Sequence, residues 1–188
     1  MTEKSPGRPR DAGASARLKA TALRLVRERG YAAVSISAII AEAGVSRQTL
    51  YNRWKTKAEL VLDAFHDDSF AHVPAPVADP DHHTALLRFL EALFVHLARD
   101  GDTLRAVIAA AQEDPAFRAT FRDRFVLPRE AIVTELLQEA QASGELAADR
   151  DTGMLSAFIH GAFWYRLLND QPLDAALARR ITDEAFRA

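Results

Sequence analysis

The stretch Ala41-Glu42-Ala43-Gly44-Val45-Ser46-Arg47-Gln48-Thr49-Leu50-Tyr51-Asn52-Arg53-Trp54 decides how this chain is read. Ser35 precedes a short helical segment, Ile36 to Ala43, and Gly44 stops it, because glycine accepts the positive φ of a tight turn. Val45 fills the angle between two helices. Ser46 caps the next one, Arg47 to Trp54, by accepting from its first amides. A short helix, a glycine turn and a second short helix make a helix-turn-helix, here spanning residues 35–54.

At about 100° per residue the second helix sorts its side chains. Leu50 and Trp54 share one side and face a core. Arg47, Gln48, Thr49, Tyr51 and Asn52 form the opposite side. Arg fits guanine O6 and N7, Gln and Asn fit adenine N6 and N7, and Thr meets a thymine methyl. Tyr51 and Arg53 reach phosphates, and Ser35 and Ser37 add contacts from the start of the preceding helix. Lys57 places a charge at the start of a fourth helix, where amides also face an anion. A merely solvated polar face is the competing reading. It leaves unexplained why residues 43–57 hold no acid.

Charge supports the nucleic-acid reading. The 188 residues carry 24 Lys and Arg against 26 Asp and Glu. Residues 1–60 hold 12 basic and 5 acidic side chains, net +7, and residues 61–188 hold 12 and 21, net −9. Near-neutrality therefore conceals a basic head on an acidic body, as expected where the head meets a polyanion. With 48% hydrophobic residues the chain is too apolar for disorder. With no Cys, a disulfide scaffold, a thiolate metal site and a cysteine nucleophile are impossible.

Outward from this point the pattern is helical. Leu18, Ala22, Leu25 and Val26 share a face ahead of Gly30. Thr56-Lys57-Ala58-Glu59 is a capping box that starts a helix towards Phe70. The prolines at 74, 76 and 80 mark a linker. Beyond it Asp81 caps a helix to Arg99, and Asp102 caps another to Glu113. Asp114-Pro115 opens a helix to Ser143 that Pro128 kinks or splits. Asp151 caps a helix to Asn169, and Pro172 with Asp174 starts the last. No segment shows period-2 alternation, so the chain reads as all-α. The organisation is a basic arm at 1–13, a DNA-binding domain at 14–60 and a helical domain at 61–188. No run reaches the ~18 apolar residues of a membrane span. No apolar leader core stands at the start, and a cytoplasmic protein is the expectation.

The run from Gly30-Tyr31-Ala32-Ala33-Val34-Ser35-Ile36 through Ala-Gly-Val-Ser at 43–46, Thr49-Leu50-Tyr51 with Trp54, and Lys57-Ala58-Glu59-Leu60 resembles the tetracycline-repressor (TetR) family of bacterial transcription regulators. The resemblance covers roughly residues 14–70. Tyr165-Arg166-Leu167-Leu168 followed by Gln171-Pro172-Leu173-Asp174 looks like the C-terminal region of one subgroup. One departure is Ile40, where the family usually has a small Ala. The resemblance implies a homodimer that binds a palindromic double-stranded operator. It also implies that residues 61–188 are a regulatory and dimerisation domain whose small effector weakens DNA binding. By this likeness Ser35, Arg47, Gln48, Thr49, Tyr51, Asn52 and Lys57 take the family's DNA-contacting positions. Gly7-Arg8-Pro9-Arg10 is similar to the minor-groove core of an AT-hook, with Arg8 and Arg10 as groove-inserting side chains. An arm that only adds charge is the competing reading.

The body carries no HExxH, GxSxG, GxGxxG or phosphate-binding glycine loop, so neither an enzyme nor a cofactor is expected. His66-Asp67 invites comparison with helical HD-type metal phosphohydrolases. Those need a separate histidine upstream, and His66 is the first histidine in the chain. His82-His83 reads as a solvated pair rather than a metal site. The 151–169 helix is apolar around almost its whole circumference, which requires burial on all sides. A partner subunit packed on Phe158, Ile159, Ala162, Phe163, Leu177 and Ile181 satisfies that requirement; a central core helix is the alternative. Phe65, Phe89, Leu93, Ile108, Phe121, Phe158 and Trp164, with Gln112 as a polar anchor, are the candidate lining of an effector pocket. The same residues also read as plain core. The leading reading is a dimeric transcriptional repressor released by a small hydrophobic effector. The rivals are a DNA-binding protein without an effector and a helical enzyme with an appended DNA-binding head.

Overall fold

The computed structural model describes residues 12–73, 75–76 and 81–187, so Arg8 and Arg10 lie outside the described residues. Among the described residues the regular structure is helical, with no strand. The chain divides into two compact units, Met1–Ala64 and Phe65–Ala188.

In the first unit α1 (Ala12–Arg29) packs on α2 (Ile36–Ala43) and α3 (Arg47–Tyr51). Its core is the expected stripe of Leu18, Ala22, Leu25 and Val26 with Ile39, Leu50 and Trp54, all buried. α4 (Lys57–His72) follows. Its capping box is modified: Thr56 Oγ1 accepts from Glu59 N (3.1 Å), while the Glu59 carboxylate accepts from Lys55 N (2.7 Å). α3 is shorter than its periodicity predicts. Its last turn tightens, with Arg53 N and Trp54 N both donating to Leu50 O at 3.0 Å.

The second unit is built around α5 (His82–Glu113), against which α6 (Pro115–Phe121), α7 (Leu127–Ser143), α8 (Thr152–Leu168) and α9 (Ala175–Ala185) pack. Asp81, Asp114, Asp151 and Asp174 each accept from a main-chain amide of the following first turn, as read from the sequence.

The sequence reading of two helices across Arg99–Asp102 is corrected, because α5 runs through as 32 residues. At 1.5 Å per residue that is about 48 Å. Gly101 is there for approach, not for termination. A Cβ at this position would lie 3.0 Å from Leu167 Cδ1 of α8. Asp102 is exposed and pairs with Arg105 one turn on, instead of capping. Flanking Leu97, Leu104 and Val107 stay buried, so the apolar stripe continues through the glycine.

The expected break at Pro128 takes the form of a π-helical turn, Arg122–Val126, between α6 and α7. Leu127 N donates to Arg122 O, an i→i+5 bond. Proline has no N–H for the α ladder, and the adjacent wide turn absorbs the mismatch. α8 also departs from its reading. Leu155, Ser156, Ile159, Phe163 and Leu167 are buried, but Met154, Phe158, Tyr165 and Leu168 are at least half exposed.

Because Asp102 stands inside a continuous helix, Asp102→Ala should change unfolding free energy by less than about 0.5 kcal/mol. Asp114→Ala and Asp174→Ala should each cost about 1 kcal/mol through cap loss. Denaturant unfolding monitored by far-UV circular dichroism compares the three. A full cap penalty at Asp102 would mean that the helix is broken there.

Candidate functional site

The reading head is set by local capping. Ser35 Oγ accepts from Ala38 N at 3.1 Å and starts α2. Gly44 ends α2 in the left-handed region, φ 62° and ψ 39°, with its N–H on Ile40 O. Ser46 Oγ accepts from Thr49 N at 3.1 Å and lies 2.8 Å from Thr49 Oγ1. These bonds turn α3 so that Leu50 is fully buried while Arg47, Gln48, Tyr51, Asn52 and Arg53 are exposed and Thr49 is half-buried. The structure thus brings the expected residues onto one open face. Ser37 has a role the sequence does not reveal: its Oγ accepts from Arg47 Nη2 at 2.8 Å, holding the guanidinium across the start of α2.

The base of the head is closed by two bonds of a different kind. Trp54 Nε1 donates to Asp63 Oδ2 at 2.8 Å. Lys57 Nζ donates to Tyr31 O (2.7 Å) and Val34 O (2.8 Å), and sits 4.0 Å from the Tyr31 ring centroid. Burial pushes the Lys57 ammonium below its ordinary pKa. The carbonyls are neutral, so these bonds leave the ammonium charge unpaired, and they use two of its three N–H groups. Glu42, the acid nearest the turn in sequence, pairs with Arg24 and Arg29 of α1.

In the second unit a small cavity of about 30 Å³ lies among Phe65, Phe89, Leu93 and Trp164 of the expected set. The rest of that set lies elsewhere. Ile108 is buried without lining it, and Gln112 is exposed at the end of α5. Phe121 backs the wall, stacked on Phe125 and edge-on to Trp164. Phe158 is 67% exposed on the outer face of α8, about 80° from the inward Leu155–Ile159 line. The lining includes three polar residues that the sequence reading missed: Ser69, Arg129 and His160. Burial lowers the pKa of His160, and Arg129 is pushed down to about 10 by the same cause. Polar burial is set by tertiary packing, so periodicity gave no signal for them.

The outer groove between α8 and α9 is lined by Met154, Phe158, Ile159, Ala162, Leu177 and Ile181. Phe163, expected beside them, turns inward and meets Phe94 edge-on at 5.9 Å. Other histidines do not follow the solvated reading. His82 bonds Glu145 (2.6 Å) and His83 bonds Asp183 (2.9 Å), so the adjacent pair splits between two partners. Asp68, His72 and His96 bring ligand atoms within 4.8 Å of one another. Arg99 already pairs with Asp68 (2.6 Å) and Asp100 (2.8 Å) beside them.

A capped helix-turn-helix with an exposed Arg, Gln, Tyr and Asn face, followed by a helical unit with its own cavity, defines a DNA-binding regulator. Comparisons with known proteins agree. The profile of bacterial regulatory proteins of the tetR family matches residues 18–64, and that of the tetracyclin repressor-like C-terminal domain matches residues 78–185. The HTH-type transcriptional regulator YdeS of Bacillus subtilis (strain 168) is 32% identical, covering 96% of this chain and 92% of its own. The DNA-binding transcriptional repressor TetR of Mycobacteroides abscessus is 31% identical over 92% and 91%. Among solved structures, the TetR family regulator SCO0332 superposes with a TM-score of 0.79 at 28% identity, over 92% of this chain and 96% of that one. FadR of Bacillus subtilis, in complex with stearoyl-CoA, superposes at 0.70 and 21% identity over 92% and 97%. The chain belongs to the TetR family of helix-turn-helix transcriptional regulators.

Lys57→Met should cost the head about 1.5–3 kcal/mol, because it removes a charged donor from two carbonyls. Arg47→Ala should leave the midpoint of thermal unfolding nearly unchanged. Calorimetry of the two variants separates a structural cation from an exposed one, and an unaltered Lys57→Met transition would refute the tie.

Proposed function

We propose that the chain is a homodimeric repressor that binds a palindromic operator and is released by a small effector with an apolar body. The exposed recognition face of α3 carries this reading. In it residues 14–60 bind double-stranded DNA, the arm at 1–13 adds basic contacts, and residues 61–188 dimerise and sense the effector in the cytoplasm. Arg47, Gln48, Thr49 and Asn52 read base edges. Tyr51, Arg53, Ser35 and the third Lys57 N–H meet phosphates, and Ser37 steadies Arg47. Two heads on one face of the duplex require half-site centres about 34–36 Å apart, or a multiple.

The exposed stripe of Met154, Phe158, Tyr165 and Leu168 on α8, beside the groove against α9, supports dimerisation. A second copy of the same pair of helices buries it isologously, and charged Arg150, Asp151, Arg180 and Glu184 at the groove edge suit a polar rim. The FadR neighbour, seen with stearoyl-CoA, is a precedent for a small-molecule ligand in this fold. The cavity of the second unit is where an effector enters in this chain.

Two measurements test the proposal. Selection of bound DNA from a random pool should return an inverted repeat; recovery of unrelated sequences would sink the operator reading. Phe158→Glu should give a monomer by light scattering, with helical content retained. Its operator affinity should fall by roughly 10²–10⁴ as the second half-site contact is lost. A variant that stays dimeric would move the interface elsewhere.

A further inference from the structure

The second unit contains an arginine with nothing to bind. Arg129, in the first turns of α7, has Nε and Nη2 buried and without a hydrogen-bond partner, and Ser69 Oγ on the same cavity is in the same state. Arg129 makes no ion pair among the described residues. This is conspicuous in a region with 21 acids against 12 bases, residues 61–188, where a carboxylate partner is readily available. Buried charges in proteins are otherwise paired, and buried donors are otherwise satisfied.

The geometry of the unused donors is specific. Nε–H and Nη2–H lie on one edge of the guanidinium and run parallel. That edge matches the two oxygens of a carboxylate. The guanidinium's remaining contacts are aromatic: Cζ is 4.4 Å from the Phe125 ring centroid and 5.3 Å from that of Phe70. Rings engage the cation, and the in-plane fork is left open. Around it the cavity is apolar, with Phe89, Leu93, Leu97 and Phe163 among its walls. A cation at one side of an apolar chamber selects a molecule with one anionic end and a hydrophobic remainder.

We infer that this cavity binds an amphipathic monocarboxylate, whose carboxylate is gripped by the Nε/Nη2 fork of Arg129 with help from the Ser69 hydroxyl and whose apolar body lodges among the phenylalanines. The inference deepens the effector reading above and rests on it for its regulatory meaning, though not for the binding itself. Desolvation without a compensating acid, which pushes Arg129 down to about 10, agrees with a cation awaiting its partner. The free volume, about 30 Å³, holds roughly one water. A carboxylate therefore enters by parting the wall, and the section next to Arg129 is Phe125 and Val126 at the end of the π turn. Widened turns of this type are where helices depart from regular bonding, often at functional sites.

The test compares octanoate with 1-octanol, which share a chain length and differ in the charged end, on the full chain without DNA. Isothermal calorimetry and the unfolding midpoint report binding. Wild-type protein should bind octanoate at least tenfold more tightly than 1-octanol and unfold at a higher temperature in its presence. Arg129→Met should bind both equally, and Arg129→Lys should keep a reduced preference for octanoate. Equal binding of the two probes by wild type, no binding of either, or a preference that survives in Arg129→Met would overturn the inference. If Arg129→Met does not fold, the wild-type pair and Arg129→Lys decide it. Since no DNA is present, an octanoate preference alongside random pool selection would fail the operator reading alone. Pool selection of a palindrome without octanoate binding would fail this inference alone.

Discussion

The Lys57 ammonium donates to the carbonyl oxygens of Tyr31 and Val34, and much of the head's geometry follows from that tie. Those carbonyls belong to the turn between α1 and α2, where Tyr31 O also accepts from Val34 N at 3.3 Å. Fixing them fixes where Ser35 stands, and Ser35 starts α2. α2 sets the position of the Gly44 turn, and the turn sets the face that α3 presents. Trp54 closes the other end through Asp63. The side chains of the exposed α3 face need no internal support beyond Ser46 and Ser37, because their orientation is inherited from this frame. A cation one helix away thus helps determine which side chains α3 exposes.

The second unit is organised by a different constraint, the close approach of α8 to α5. Gly101 permits it, Arg105 reinforces it by donating to Leu167 O at 3.0 Å, and Phe163 fills the space beside Phe94. One face of α8 is consumed by this packing and the other is left apolar and open. The same helix thereby separates an inward chamber, reached by Phe163 and Trp164, from an outward groove, reached by Phe158 and Ala162. Side chains one residue apart in sequence serve unrelated surfaces.

What could be read in advance was local. Ser35, Ser46, Asp114, Asp151 and Asp174 act on amides two or three residues away, so sequence spacing alone locates them. The α3 face was legible for the same reason, since a helical period assigns sides without reference to the rest of the chain. The missed features are all products of distant packing. Lys57 finds its carbonyls 26 and 23 residues upstream. Gly101 looks like a stop until Leu167 is placed against it. Arg129 carries no signal in the sequence, because the cavity that encloses it is assembled by packing. Aromatic content also points to Phe158 as a pocket residue, because composition does not distinguish the two sides of a helix that is apolar all round.

The π turn at Arg122–Val126 amounts to one residue more than an α-helix would use over the same rise. Excising a residue there would restore regular α bonding and leave the helices on either side nearly where they are. Only side chains within the turn, Phe125 among them, would change direction, while α7 kept its packing on α8. The wall of this cavity can therefore be exchanged by a change in chain length alone. Among proteins of this architecture, ligand preference at such a wall can diverge through single-codon gaps, a kind of change that a comparison of aligned side chains would pass over.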